Sequence, residues 1–168
     1  MKRVLIIGSG GAGKSTLARR LGEKTGIEVI HLDALFWNPG WVRTEKAEWL
    51  EIVREVIEKE SWIMDGNFGG TLEMRAEAAD TIIFLDIPRW LCIYRIMKRW
   101  IMYRNVSRPD MAPGCPEKVD REFFMWVWDY PKRSKPEKER ILKRYADEKT
   151  IIRLRSTREI EGFYEGID

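Results

Sequence analysis

The chain opens on an apolar run, Val4-Leu5-Ile6-Ile7, followed at once by Gly8-Ser9-Gly10-Gly11-Ala12-Gly13-Lys14-Ser15 and then by apolar positions at Leu17, Ala18 and Leu21. Few local sequences constrain a fold so tightly. A buried strand must run into a loop too rich in glycine for regular structure, and a helix must begin where that loop ends. The order fits G-x-x-x-x-G-K-[ST] in its required setting. Glycines let the backbone curl until successive N–H groups converge on one anion. The helix N-terminus adds its partial positive charge. Lys14 is therefore expected to reach the β- and γ-phosphates of ATP, and Ser15 to ligate Mg²⁺. Gly8, Gly10, Gly11, Ala12, Gly13 and Thr16 complete the expected cofactor-binding stretch. A glycine-rich turn beside an incidental Lys-Ser pair is the alternative, and both flanks speak against it.

The 168 residues suffice for one domain, residues 1–168, with a full core. A formal net charge of +3 is too mild to argue for nucleic acid by itself. No stretch approaches the roughly 18 apolar residues of a membrane span, and the N-terminus runs into the loop and not into a leader. Cys92 and Cys115 have neither metal nor redox spacing. A cytoplasmic setting without membrane association is expected. Nothing in the sequence sets an oligomeric state.

Strands are expected at residues 2–7, 27–31, 62–64, 81–85 and 150–154. Helices are expected at 13–24, from Thr44 through Ile57 on the spacing of Trp49, Ile52, Val53, Val56 and Ile57, and at 88–104, 117–129, 136–146 and 156–164. Pro88 suits a helix's first turn, and Ser156 with Glu159 three residues later suits a capping box. Strands alternating with helices imply an α/β fold, a parallel sheet covered on both faces. Two excursions, about 33–60 and 103–120, leave the core on the side where open sheets bind ligands.

Several segments together resemble the nucleoside monophosphate kinase superfamily, which includes adenylate and shikimate kinases. The loop comes first, an Asp ends the third strand in Ile63-Met64-Asp65-Gly66, Asp86-Ile87-Pro88 follows the fourth, and Arg95-Ile96-Met97-Lys98-Arg99 comes after it. Within that superfamily, His31-Leu32-Asp33, Phe36-Trp37, Trp41, Asp65-Gly66-Asn67, Arg108-Pro109-Asp110 and Gly114-Cys115-Pro116-Glu117 look like the small bacterial proteins labelled topology modulation proteins. The resemblance implies a three-layer P-loop NTPase sandwich of five parallel strands in the order 2-3-1-4-5, with a lid at about 103–120. One departure stands out. Where adenylate kinases carry an Arg four residues after the strand-three Asp, this chain has Gly69, and its next Arg is Arg75. AMP is not implied as the acceptor.

The resemblance also assigns roles. Asp65 would hold Mg²⁺ directly or through water, unless it only shapes the turn before Gly66. Asp33 would orient an acceptor hydroxyl or take its proton, unless it caps a helical turn. Residues 89–108 carry Arg89, Arg95, Lys98, Arg99, Arg104 and Arg108 with no acid among them. Arginines suit a triphosphate because the planar fork grips phosphate oxygens. Arg95 would lie against adenine, with Arg155 near the same base at the exit of the fifth strand. Arg99 would reach phosphate, and Arg108 would swing in from the lid. The alternative is a solvated basic face. Phe36, Trp37 and Trp41 would wall an acceptor pocket or else pack their loop onto the helix after Thr44. His31 is expected to be a packed, hydrogen-bonded residue, Asp86 a helix cap, Cys92 inert and Cys115 accessible.

The expectation is an ATP·Mg²⁺-dependent small-molecule or nucleotide kinase, with Lys14, Asp33, Asp65, Arg99 and Arg108 in the chemistry. The rival is a nucleotide-dependent DNA-binding protein that uses Trp90, Tyr94, Trp100 and Tyr103 among the arginines.

Overall fold

The computed structural model describes residues 1–103, 111–116 and 120–167. Five parallel strands form the central sheet: β1 (Arg3–Gly8), β2 (Val29–His31), β5 (Trp62–Asp65), β6 (Thr81–Leu85) and β7 (Thr150–Leu154). Their order is β2-β5-β1-β6-β7. Counted among sheet strands alone, this is the expected 2-3-1-4-5. β1, β5 and β6 are buried on both faces apart from the half-buried Arg3, which is why they read as continuous apolar runs.

Successive side chains of each strand enter two different cores. Leu5, Ile7, Met64, Ile82 and Phe84 meet α3 (Lys46–Glu58), α4 (Gly69–Ala78) and α7 (Lys135–Arg144) through Trp49, Val53, Leu72, Ala76 and Ile141. Val4, Ile6, Ile63, Ile83 and Leu85 meet α1 (Lys14–Thr25), α5 (Arg89–Met102), α6 (Arg121–Arg133) and α8 (Thr157–Glu165) through Leu17, Leu21, Cys92, Ile96, Val127 and Ile160. The result is the expected three-layer α/β sandwich.

Three elements were not foreseen. The first is the short helix α2 (Leu32–Phe36). The second is an antiparallel ribbon of β3 (Trp37–Asn38) and β4 (Val42–Arg43), and the third is α4. Residues 111–116, the described part of the second excursion, dock on the ribbon. Gly40 N–H donates to the Gly114 carbonyl at 3.0 Å, and Cys115 Sγ donates to the Asn38 carbonyl at 3.2 Å. Cys115 is therefore buried and not accessible as expected. Met111, Ala112 and Cys115 pack with Trp37 and Trp41.

Candidate active site

The loop between β1 and α1 has the curl that its glycines allow. Gly11 takes φ +75°, and a Cβ there would lie 2.4 Å from the Cys92 carbonyl of α5. Any larger residue would push α5 off the loop. A Cβ on Gly10 would meet Phe123, Trp126 and Val127 at 3.1–3.2 Å, so α6 also lies against this loop. At its end Lys14 Nζ donates to the Ser9 carbonyl at 2.8 Å. Burial pushes the Lys14 ammonium below its ordinary pKa of 10.5, against the opposing pull of Asp65 and Asp33.

Ser15 Oγ donates to Asp65 Oδ2 at 2.5 Å, and the other carboxylate oxygen meets His31 Nδ1 at 2.6 Å. The register explains the second contact: His31 and Asp65 are partners across β2 and β5. Asp65 is buried, one layer behind the half-buried Ser15. A hydroxyl and a carboxylate beside a phosphate-binding loop are hard oxygen donors. They fit Mg²⁺, which keeps several waters and shares its remaining positions with phosphate oxygens. Ser15 and Asp65 would hold it. His31 is hydrogen-bonded, as expected, but its partner belongs to the site.

In front of the loop lies a cleft of about 1060 Å³. Gly10, Gly11, Gly13, Lys14, Ser15 and Thr16 form one wall, with Asp33 from the first turn of α2 beside them. Trp37 and Trp41 of the ribbon, Phe68 and Gly69 at the start of α4, and Arg99 and Tyr103 at the end of α5 enclose it. Trp126, Arg133, Glu137 and Lys138 of α6 and α7 complete it. The aromatic loop divides. Phe36 packs on Trp49 of α3 and on Phe68 at ring distances of 5.1 and 4.7 Å, whereas Trp37 and Trp41, 5.4 Å apart, face the cleft.

Gly8 and Ala12 are buried in the loop's own backing. Arg95 lies beside it, and neither Arg95 nor Arg155 lines this cleft. Arg95 donates to the Ala12 carbonyl at 3.1 Å and to Thr157 Oγ1 at 2.8 Å, and so ties the loop to the start of α8. Arg155 is exposed at the exit of β7, where its N–H donates to Glu159. Arg108 falls outside the described residues.

Asp86 is not a helix cap. Its carboxylate takes Lys135 at 2.7 Å on one oxygen and Arg153 at 2.6 Å on the other. The α5 N-cap position belongs to Pro88.

Sequence reasoning missed two buried cations at or near the cleft. Arg75 is fully buried in α4 and donates to the carbonyls of Gly66, Asn67 and Phe68 at 3.1, 2.6 and 3.0 Å and to Thr71 Oγ1 at 3.1 Å. Burial brings its pKa down to about 9, with Glu137 opposing, so it remains a guanidinium at neutral pH. Lys138 is buried and donates to Glu137 at 2.9 Å. A buried Arg on a helix with no clean apolar stripe, and a Glu-Lys dipeptide, carry no local signal.

These features define a P-loop kinase-like α/β fold. No protein-family model matches the chain, and no curated protein does either. Solved structures do. A shikimate kinase from Acinetobacter baumannii in complex with shikimate superposes with a TM-score of 0.66 at 13% identity, over 98% of this chain and 89% of that one. A deoxyadenosine kinase from M. mycoides, with products dCMP and dCDP bound, gives 0.53 at 15% identity over 96% of each chain. At these identities the likeness establishes the fold. The likeness to topology modulation proteins finds no support in these comparisons.

Among the described residues no helix is long and apolar enough to cross a membrane.

Proposed function

We propose that this protein is an ATP·Mg²⁺-dependent kinase that transfers the γ-phosphoryl group to a small acceptor in the cytoplasm. The observation that carries the reading is the joint placement of Lys14, the Ser15–Asp65 pair and Arg99 around one cleft that also holds Asp33. Phosphoryl transfer needs little covalent help from protein. It needs donors on the transferring group, a metal and an acceptor held in line. The loop and Lys14 would bind the triphosphate, and Ser15 and Asp65 would hold Mg²⁺, which would offset the phosphate charge. Arg99 would stabilise the transferring group, with Arg108 as a second cation. Asp33 would orient the acceptor hydroxyl or receive its proton. Arg95 and Arg155 would flank the adenine. A roof of ribbon and lid would exclude water and so limit hydrolysis.

The DNA-binding alternative loses support because its residues divide between two faces. Trp90 and Tyr94 are exposed, 68% and 61%, while Arg95 binds the phosphate loop and Arg99 and Tyr103 line the cleft.

The test is ADP release from ATP·Mg²⁺ against a panel of small alcohols and nucleotides. Lys14→Ala should reduce turnover by at least a hundredfold while the ATP-free melting temperature stays within a few degrees. A mutant retaining wild-type turnover would refute the assignment, and tight, steeply salt-dependent DNA binding without any ADP release would favour the rival.

A further inference from the structure

Resting on that kinase reading, we infer that the acceptor half of the cleft takes a neutral, planar-ringed alcohol of the nucleoside class, with the Glu137 carboxylate accepting from one of its hydroxyls.

The first support is the wall. Trp37, Trp41 and Phe68 give the acceptor side flat apolar surfaces suited to a ring. Trp41 and Phe68 are also the non-glycine residues held at positive φ among the described residues, at +65° and +26°. Backbone strain of this kind persists where the surroundings impose it, and it clusters at ligand sites. Both strained residues line the cleft.

The second support is the charge at the start of α4. An anionic acceptor would be expected to meet a cation on the loop after β5. The arginine nearest that loop, Arg75, is buried and its donors are engaged by the carbonyls of Gly66, Asn67 and Phe68. Where an acceptor's anion would approach Gly69, a carboxylate already stands. Both Glu137 oxygens lie 3.3 Å from the position a Gly69 Cβ would take. Lys138, only 3% exposed at its side chain, bonds Glu137 Oε2, so Oε1 remains to accept from a ligand in the cleft. An ionised carboxylate accepts and cannot donate. A sugar hydroxyl suits it better than a second anion does, because an anion would meet a like charge there. Arg133, 3.8 Å from Asp129, and Arg43, over the Trp37 ring, also line the cleft as cations, so the discrimination falls to Glu137 at the Gly69 position.

The experiment measures ADP release with adenosine, cytidine and thymidine, with their 5′-monophosphates, and with shikimate. Calorimetric binding of the same compounds is measured beside a non-hydrolysable ATP analogue. The expected result is a nucleoside favoured at least tenfold in kcat/KM over its monophosphate. Glu137→Ala should raise the nucleoside KM at least tenfold while kcat changes less than threefold, and Glu137→Gln should improve binding of the monophosphate. Monophosphates or shikimate turned over while nucleosides stay inert overturns the substrate class and leaves the kinase reading intact. A nucleoside bound but never phosphorylated, with no other acceptor used, supports the class and overturns the kinase reading. No nucleoside bound or used overturns the class outright. An unchanged nucleoside KM in folded Glu137→Ala overturns the role of Glu137, and if that variant does not fold, Glu137→Gln decides it by the monophosphate comparison.

Discussion

Asp65 meets two neighbours at once, a hydroxyl from the phosphate loop on one oxygen and the imidazole of His31 on the other. The imidazole orients the carboxylate, and on the proposed reading the hydroxyl and the carboxylate together would hold Mg²⁺. Asp65→Asn keeps the shape but gives up the negative charge. It should weaken binding of ATP·Mg²⁺ at least tenfold more than binding of metal-free ATP, as read by calorimetry with and without a chelator. Equal losses for both forms would make Asp65 a purely structural residue. Arg75 works differently, since its four bonds hold the loop that carries Asn67 and Phe68 into the cleft. Arg75→Met keeps much of the volume and leaves three carbonyls without that donor. At about 1–3 kcal/mol for each buried group left unsatisfied, a loss of roughly 3 kcal/mol or more is expected in urea unfolding. A loss below about 0.5 kcal/mol would mean that water replaces the guanidinium at no cost.

Elements whose burial follows a single period were readable before any coordinates. The central strands β1, β5 and β6 announce themselves because both faces are covered, and α3 does because Trp49, Val53 and Val56 share one side. α4 could not be read this way. It starts with two glycines, and its buried set includes Thr71 and Arg75 beside Leu72 and Ala76, so polar and apolar residues share the inward face. The ribbon strands are two residues each, too short for any alternation to register. Asp86 was misread for a related reason. A local cap was expected, but its partners are 49 and 67 residues away. Its carboxylate joins β6 to β7 through Arg153 and to the start of α7 through Lys135. Burial alone would raise its pKa, but the hydrogen bonds and charges of Lys135 and Arg153 outweigh that and hold it below the ordinary 3.8. A carboxylate lowered in the folded state contributes stability that is complete above its unfolded pKa and is lost as pH falls from about 3.8 through the folded value. Asp86→Asn should therefore lower stability at pH 7 by roughly 1–3 kcal/mol. It should also flatten the acid limb of the stability curve below about pH 4. Unchanged steepness there would assign acid unfolding to other carboxylates.

Seen whole, the molecule places three of its tryptophans around one cleft. Trp126 of α6 faces the phosphate loop, because a Cβ on Gly10 would come within 3.2 Å of its ring. Trp37 and Trp41 stand on the ribbon beside residues 111–116, in the wall of the same cleft. Trp49 and Trp62 are buried away from it, and Trp90 is exposed on the outer side of α5. The cleft therefore carries three local reporters, Trp126 beside the loop and Trp37 and Trp41 on the ribbon. The ribbon and residues 111–116 are joined by backbone and thiol hydrogen bonds, so the roof they form should shift as a unit when an acceptor enters. A non-hydrolysable ATP analogue with Mg²⁺ should change the emission of the wild-type protein, and Trp126→Phe should remove most of that change. Adding a compound that supports ADP release should then produce a second change. That change should be more than halved in Trp37→Phe or Trp41→Phe, and it should be larger with the analogue already bound than without it. If both emission changes survive in the two ribbon variants, Trp37 and Trp41 serve only to hold residues 111–116, and the acceptor lies deeper, toward Asp33.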